Sequence, residues 1–214
     1  MKLAIVAGGP EARIPDLTAP EYHDFDWIGA DRGTFVLLKS GIKPKHAFGD
    51  FDSVHGPEKN AVFHSGTELR TFQPEKDQTD LEIAVDWAVG KKPELLLIFG
   101  ATGGRIDHEL AAVQILLRVA RAGIRCALID TLNRVTLLMP GTYHVSNDPD
   151  YHYLSFLALS EKVEGLTLEG VKYPLKNAGL PVGSSLCISN EADAATFSVS
   201  LRSGCLLMMQ CSDA

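Results

Sequence analysis

Asp50 and Asp52 alternate about Phe51 in the run Gly49-Asp50-Phe51-Asp52-Ser53. In an extended segment both carboxylates would point to one side while the ring packs on the other. Two carboxylates held this close repel unless a cation joins them, and hard oxygen ligands suit Mg²⁺ carrying substrate phosphates. A turn with two solvated acids is the alternative reading. A second acidic cluster, Asp77-Gln78-Thr79-Asp80, precedes an apolar-periodic stretch. Thr79 and Asp80 suit a helix cap and complement the helix dipole, which leaves Asp77 and Gln78 unexplained. A helix start also presents backbone N–H groups to phosphate, and a carboxylate there is tolerable chiefly when a metal balances its charge.

The third element is Gly100-Ala101-Thr102-Gly103-Gly104-Arg105-Ile106-Asp107-His108. It lacks the ending of a Walker A loop and is not G-x-G-x-x-G. Its glycines nevertheless let backbone approach a ligand closely, and Arg105 can clamp phosphate oxygens in a planar fork. A local Arg105–Asp107 salt bridge is the competing reading. His108 reads as a structural hydrogen-bonding residue, and the other histidines lack metal-ligand spacing. The four cysteines, Cys126, Cys187, Cys205 and Cys211, form no C-x-x-C pair and read as idle thiols.

These motifs need strands to hold them. Leu3 to Ala7, Trp27 to Ala30, Ala47 to Gly49, Leu95 to Phe99 and Cys126 to Ile129 are continuous apolar runs of the kind that strands covered on both faces show. Helical patterns alternate with them. One is capped by Asp31, runs through Phe35, Val36 and Leu38, and is closed by Gly41. The next opens on the capping box Thr79-Asp80-Leu81-Glu82 and buries Leu81, Ala84, Val85 and Ala88. A third starts near Asp107 and buries Leu110, Val113, Leu117 and Ala120. This rhythm predicts an α/β domain with a mostly parallel, Rossmann-like three-layer arrangement. Ligands bind such sheets beyond the carboxyl ends of the strands. The loops Ala7-Gly8-Gly9, Ala30-Asp31-Arg32-Gly33, Gly49 to Ser53 and Gly100 to Asp107 should therefore converge on one rim.

After about Met139 the character changes to short, partly alternating runs punctuated by glycine and proline. Strands are expected at Tyr153 to Leu159, Val163 to Leu168, Ser185 to Ser189, Ala194 to Ser200 and Leu206 to Gln210, as an all-β sandwich or jelly-roll-like domain. The expected division is residues 1–139 and 140–214.

Composition narrows the function. The chain has 214 residues, 45% of them hydrophobic, and carries a formal charge of −7, which argues against a nucleic-acid footprint. Its apolar start is too short for a secretory signal and no long apolar run occurs, so a cytoplasmic protein with no membrane partner is expected.

Taken in order, Gly49-Asp-Phe-Asp-Ser53, Asp77-Gln-Thr-Asp80 and Gly100-Ala-Thr-Gly-Gly-Arg-Ile-Asp-His108 closely resemble the thiamine pyrophosphokinase family. Lys172-Tyr-Pro-Leu-Lys-Asn177 and Gly183-Ser-Ser-Leu-Cys-Ile-Ser-Asn-Glu191 look like its C-terminal segments, so the resemblance spans nearly the whole chain. It implies an N-terminal catalytic domain binding nucleotide and metal, a C-terminal β-sandwich that helps hold thiamine, and a homodimer. The implied reaction moves a diphosphoryl group from ATP to the thiamine hydroxyl, giving thiamine diphosphate and AMP. By matching motif, Asp50, Asp52 and Asp80 would be the Mg²⁺ carboxylates, with Asp31 close by. Gln78, Thr79, Arg105 and Asp107 would position ATP and the departing groups, and Ser189 and Asn190 would face the thiamine. Asp50, Asp52, Asp80 and Arg105 form the expected catalytic set; whether Asp80, Asp50 or water takes the hydroxyl proton is left open.

Two departures stand out. Asp31-Arg32-Gly33-Thr34 replaces the family's usual Asp-Gly-Gly-Ala, so that Arg32 either contacts phosphate or points away. The β-rich half also lacks tryptophan, leaving Phe197 or Tyr173 as the aromatic to stack on thiamine, if any does. Rival readings are a Mg²⁺ phosphohydrolase with Asp50 as nucleophile and a non-catalytic nucleotide or thiamine sensor.

Overall fold

The computed structural model describes residues 1–71 and 77–213. The chain forms two compact units, Met1–Thr131 and Leu132–Ala214.

In the first unit the apolar runs become parallel strands. Its elements are β1 (Lys2–Val6), β2 (Phe25–Ala30), α1 (Gly33–Lys39), β3 (His46–Gly49), α2 (Pro57–Phe63), β4 (Glu68–Thr71), α3 (Asp80–Gly90), β5 (Leu95–Phe99), α4 (Ile106–Arg121) and β6 (Arg125–Ile129). The strand order is β4-β3-β2-β1-β5-β6, all parallel. Sequential strands lead outward from β1 in one direction and the chain returns to β5 on its other side. The loops after β1 and β5 therefore part at a crevice, the place where such sheets bind ligands. Leu3, Ala4, Ile5 and Val6 are almost wholly buried, as a strand covered on both faces requires.

Helix α3 follows its pattern. Thr79 Oγ1 accepts the Glu82 N–H at 3.2 Å, and Ala84, Val85 and Ala88 are buried. Helix α4 is rotated from expectation: it buries Ala112, Leu116 and Val119, while Leu110 is 55% exposed. Its apolar residues occupy more than one stripe, and the smaller one allows the closer approach. Asp31 does not cap α1. Arg32 occupies that position, and Asp31 has a left-handed backbone (φ 49°) that frees its side chain for other work. Gly33 is required here, because a Cβ at this residue would lie 1.9 Å from the Val6 carbonyl oxygen. Helix α2 and strand β4 were not anticipated. The helix is short and buries only Val62, which gives little periodicity to read.

The second unit contains β7 (Asn133–Leu138), β8 (Gly141–Ser146), β9 (Tyr153–Ala158), β10 (Lys162–Glu169), β11 (Leu175–Pro181), β12 (Thr196–Leu201) and β13 (Leu206–Cys211). Strand β13 pairs antiparallel with β7 and β9, and β11-β10-β12-β8 forms a second antiparallel sheet. One apolar core draws on both sets, including Leu154, Phe156 and Leu206 from the first and Val163, Leu180 and Phe197 from the second. The division between the units falls before residues 139/140 because β7 is held by β13.

Ser185 to Ser189 is not a strand. Cys187 alone is buried there, between exposed Leu186 and Ile188. Cys187 O accepts the Phe156 N–H, an isolated bridge joins Leu154 to Asn190, and Ser189 turns the chain with φ 56°. Among the described residues no helix is long and apolar enough to cross a membrane.

Candidate active site

The site is assembled at the carboxyl ends of the first unit's strands. The Asp31 N–H donates to Phe48 O at 2.7 Å, which brings the residue after β2 against the end of β3. In the next loop Phe51 is fully buried with Val54 and Val62, so the aromatic between the two acids anchors the segment from below. The segment is a turn rather than an extended stretch: Phe51 has φ 55°, and the Asp52 N–H donates to Asp50 Oδ1 at 3.1 Å.

As a result, one carboxylate oxygen from each of Asp31, Asp50 and Asp52 lies within 4.8 Å of the others. Ser53 Oγ donates to Asp31 Oδ2 through a very short contact, while Asp31 Oδ1 is buried without a hydrogen-bond partner. A buried orphan oxygen beside two further acids is costly for the protein alone and suits a hard divalent cation. The carboxylates gathered here are therefore Asp50, Asp52 and Asp31. Asp80 is not among those that approach within this distance; it lies on α3's first turn and lines the adjoining cavity. Sequence spacing gave no sign of the Asp31–Phe48 bond that makes Asp31 the third member.

The cavity measures about 390 Å³ and is walled by Gly8 and Gly9 after β1, Asp31 after β2, Thr79 and Asp80 opening α3, and Gly100 to Thr102 after β5. The expected convergence of loops is thus found, and it depends on close backbone contact. The Gly9 N–H donates to Gly100 O at 2.8 Å, and a Cβ on Gly9 would lie 2.3 Å from that oxygen. Thr102 Oγ1 donates to the buried Asp130 carboxylate at 2.5 Å, fastening the glycine-rich loop to the end of β6. Thr102 and Asp130 were not singled out from sequence, since only the strand register brings them together.

The remaining expected residues divide. Arg105 reaches the cavity wall, yet its guanidinium pairs with Asp107 at 3.1 and 2.5 Å, and it is 74% exposed. That arginine holds the Asp107 carboxyl below the usual carboxylate range. Asp107 also accepts the His108 N–H at 2.9 Å and is not a wall residue. Gln78 likewise turns away from the cavity, donating to Glu82 at 3.2 Å and Asp86 at 3.0 Å on the α3 face that also receives Arg118. Thr79 combines a place on the wall with its capping bond. Arg32 points to carboxylates: Nε and Nη2 donate to Glu58, and Nη2 also donates to Glu11.

The second unit has a smaller cavity of about 240 Å³, lined by Tyr173, Pro174, Leu175, Leu186, Cys187, Ile188 and Asn190. Asn190 is buried, and its carboxamide is already engaged. Oδ1 accepts the N–H groups of Tyr173 and Glu191 at 3.0 and 2.9 Å, and Nδ2 donates to Tyr173 O at 2.9 Å. It therefore builds the wall by holding the Tyr173 turn. Ser189 is exposed, with its N–H on Ser155 Oγ. Phe197 belongs to the core, so it is not available for stacking, whereas Tyr173 is 60% exposed on the cavity.

Comparison with known proteins agrees with this division. Residues 23–128 match the model of the thiamin pyrophosphokinase catalytic domain, and residues 142–206 match that of the thiamin pyrophosphokinase vitamin B1 binding domain. The curated thiamine pyrophosphokinase of Bacillus subtilis is 44% identical over 209 residues, covering 98% of each chain. A crystal structure of the thiamine pyrophosphokinase from Bacillus subtilis superposes with a TM-score of 0.95 at 42% identity, over all of both chains. The Geobacillus thermodenitrificans enzyme structure gives 0.92 at 41% identity, covering all of this chain and 99% of its own. With both domain models matched in order and nearly the full length shared at this identity, the chain belongs to the thiamine pyrophosphokinase family.

Proposed function

We propose that the chain transfers a diphosphoryl group from ATP to the hydroxyl of thiamine, releasing AMP, by in-line attack at the β-phosphorus. The observation that carries this reading is the carboxylate trio of Asp31, Asp50 and Asp52 at the edge of a glycine-walled cavity. These residues would hold Mg²⁺, with Asp80 as a further carboxylate on the wall. The ion, when bound, neutralises phosphate charge and favours departure of AMP.

The chain's own contribution is placement and charge. Gly8, Gly9 and Gly100 present backbone without side chains, so a triphosphate can lie close to the wall. The α3 N-terminus adds positive dipole beside Asp80. Arg105 is already on the wall, and its exposed pairing with Asp107 is weakened by solvent, so exchanging that partner for a phosphate oxygen costs little. No covalent enzyme intermediate is needed. Orientation and electrostatic stabilisation account for the transfer. In the second unit, the cavity bordered by Tyr173, Leu186, Ile188 and Asn190 is of a size and apolar character suited to the thiamine rings. The family resemblance further suggests an α/β catalytic domain, a β-sandwich thiamine-binding domain and a cytoplasmic homodimer.

The test is incubation with ATP, Mg²⁺ and thiamine, followed by chromatography of AMP and thiamine diphosphate. Equal yields of the two products are expected. AMP or phosphate release without thiamine diphosphate, or no turnover, would overturn the assignment.

A further inference from the structure

We propose that Arg32 is a positioning residue for the carboxylate trio, bracing the Asp50–Asp52 loop through Glu58 rather than contacting phosphate itself. The inference rests on the reading above that the trio holds a divalent cation.

Arg32 follows Asp31 directly in the chain. Its Nε and Nη2 donate to Glu58 at 3.3 and 3.1 Å, and Nη2 donates to Glu11 at 2.8 Å. The other Glu11 oxygen takes Lys39 at 2.7 Å. Two cations therefore face two carboxylates, and the Arg32 charge is matched within the network. All three side chains of the Arg32 core are about two-thirds buried, with exposures of 31%, 31% and 28% for Arg32, Glu11 and Glu58. A charged fork in such surroundings is held more firmly than an exposed pair.

The position of each partner matters. Glu58 is in the first turn of α2, the helix that carries the Asp50–Asp52 loop away from the site. The loop's incoming end is fixed by β3 and its middle by the buried Phe51 and Val54. Its outgoing end is fixed by Arg32. Glu11 opens the short 3-10 turn after the Gly8-Gly9 segment, so the same guanidinium links the glycine wall to the acidic loop. The Arg32 stem packs against Gly8, where an added Cβ would lie 3.3 Å from Arg32 Cβ. Neither Arg32, Glu11 nor Glu58 lines the cavity. An arginine held in this way keeps a large cation beside the metal rim while withholding it from the nucleotide.

The experiment measures Mn²⁺ binding by electron paramagnetic resonance, alone and with a non-hydrolysable ATP analogue, alongside steady-state KM for ATP and kcat. Arg32→Ala and Glu58→Gln should each weaken Mn²⁺ binding by about tenfold, the usual scale for groups that orient metal ligands. The double variant should be no worse than either single change, because both remove one shared interaction. Arg32→Lys, which keeps the charge but loses the fork, should restore only part of the affinity. A phosphate-contacting arginine gives the opposite pattern: Arg32→Ala raises KM for ATP at unchanged Mn²⁺ affinity, and Glu58→Gln, by freeing the arginine, leaves KM unchanged or lowers it. That pattern overturns the proposal. Wild-type protein that binds Mn²⁺ while both single variants bind it equally well also overturns it alone. Wild-type protein that binds no Mn²⁺ in either condition sinks the reading of the trio, and this inference with it. Thermal melts of each variant separate these outcomes from unfolding, with Arg32→Lys as the least disruptive comparison.

Discussion

Replacing Asp31 by asparagine should stabilise the metal-free protein and at the same time blunt its response to Mg²⁺. The trio's oxygens lie within 4.8 Å of one another. At that separation each like-charge pair costs about 0.9 kcal/mol in the dielectric of bulk water and about 3.5 kcal/mol at an effective value near 20. Asp52 is exposed, which places the figure toward the lower bound. Asp31→Asn removes two of the three pairs, so about 2 kcal/mol of repulsion disappears at low ionic strength. Asparagine tolerates the left-handed backbone at this position, and its carbonyl can still accept from Ser53. The melting temperature of the first unit should rise by a few degrees when Mg²⁺ is chelated. Excess Mg²⁺ should raise the wild-type midpoint, since a ligand bound only by the folded state stabilises it, and should raise the variant's far less. Scanning calorimetry of both proteins with chelator and with Mg²⁺ supplies the four midpoints. A variant that melts lower than wild type without metal, yet keeps the full Mg²⁺ response, would refute the idea that these acids repel each other until a cation joins them.

Thr102→Val should lower stability by about 1–2 kcal/mol by removing a donor from buried Asp130, and should raise KM for ATP; Thr102→Ser should recover both in urea titrations and kinetics. Asn190→Ala should raise KM for thiamine more than it lowers kcat, at a stability cost of about 1–3 kcal/mol, because the Tyr173 turn loses its carboxamide partners. Burial chiefly, with Arg70, Lys91 and Lys45 adding and Glu68 opposing, holds the His46 pKa below its ordinary 6.5. The unfolded chain therefore takes up this proton first, and stability present above pH 6.5 should shrink as pH falls toward the folded value. Denaturation midpoints of His46→Gln should fall less over the same range. Gly33→Ala should destabilise by about 1–3 kcal/mol or more, since the new methyl meets the Val6 backbone oxygen rather than a movable side chain.

The chemistry-bearing motifs were readable because each is local. Asp50-Phe51-Asp52, the Thr79 cap and the glycines around Gly100 carry their spacing in the sequence itself. The strands of the first unit were legible for a related reason, as a run such as Leu95–Phe99 is apolar throughout. What escaped depends on distant partners. Asp31, expected only close by the metal carboxylates, joins the trio through a bond to Phe48, and Arg32 meets carboxylates 21 and 26 positions away. Neither pairing leaves a mark in local spacing. The face of α4 was misread because its apolar residues serve more than one stripe. Strand β8 escaped because four of its six residues are exposed and none is buried, so it lacks the apolar run that marks β13. The 185–189 segment shows the reverse case, in which an apolar run reads as a strand but a turn leaves Leu186 and Ile188 exposed around buried Cys187.

The cysteines give each unit an internal reporter. Cys126 lies in β6, where burial alone pushes its thiol pKa up to about 12, and Cys187 is buried in the second unit with its pKa also raised by burial. A disulfide reagent can modify Cys126 only after the surrounding structure opens, whereas Cys187 also reports on occupancy of the cavity it lines. Mass-resolved labelling of the two sites, with and without nucleotide, would read their protection separately and reveal which half of the molecule each substrate steadies.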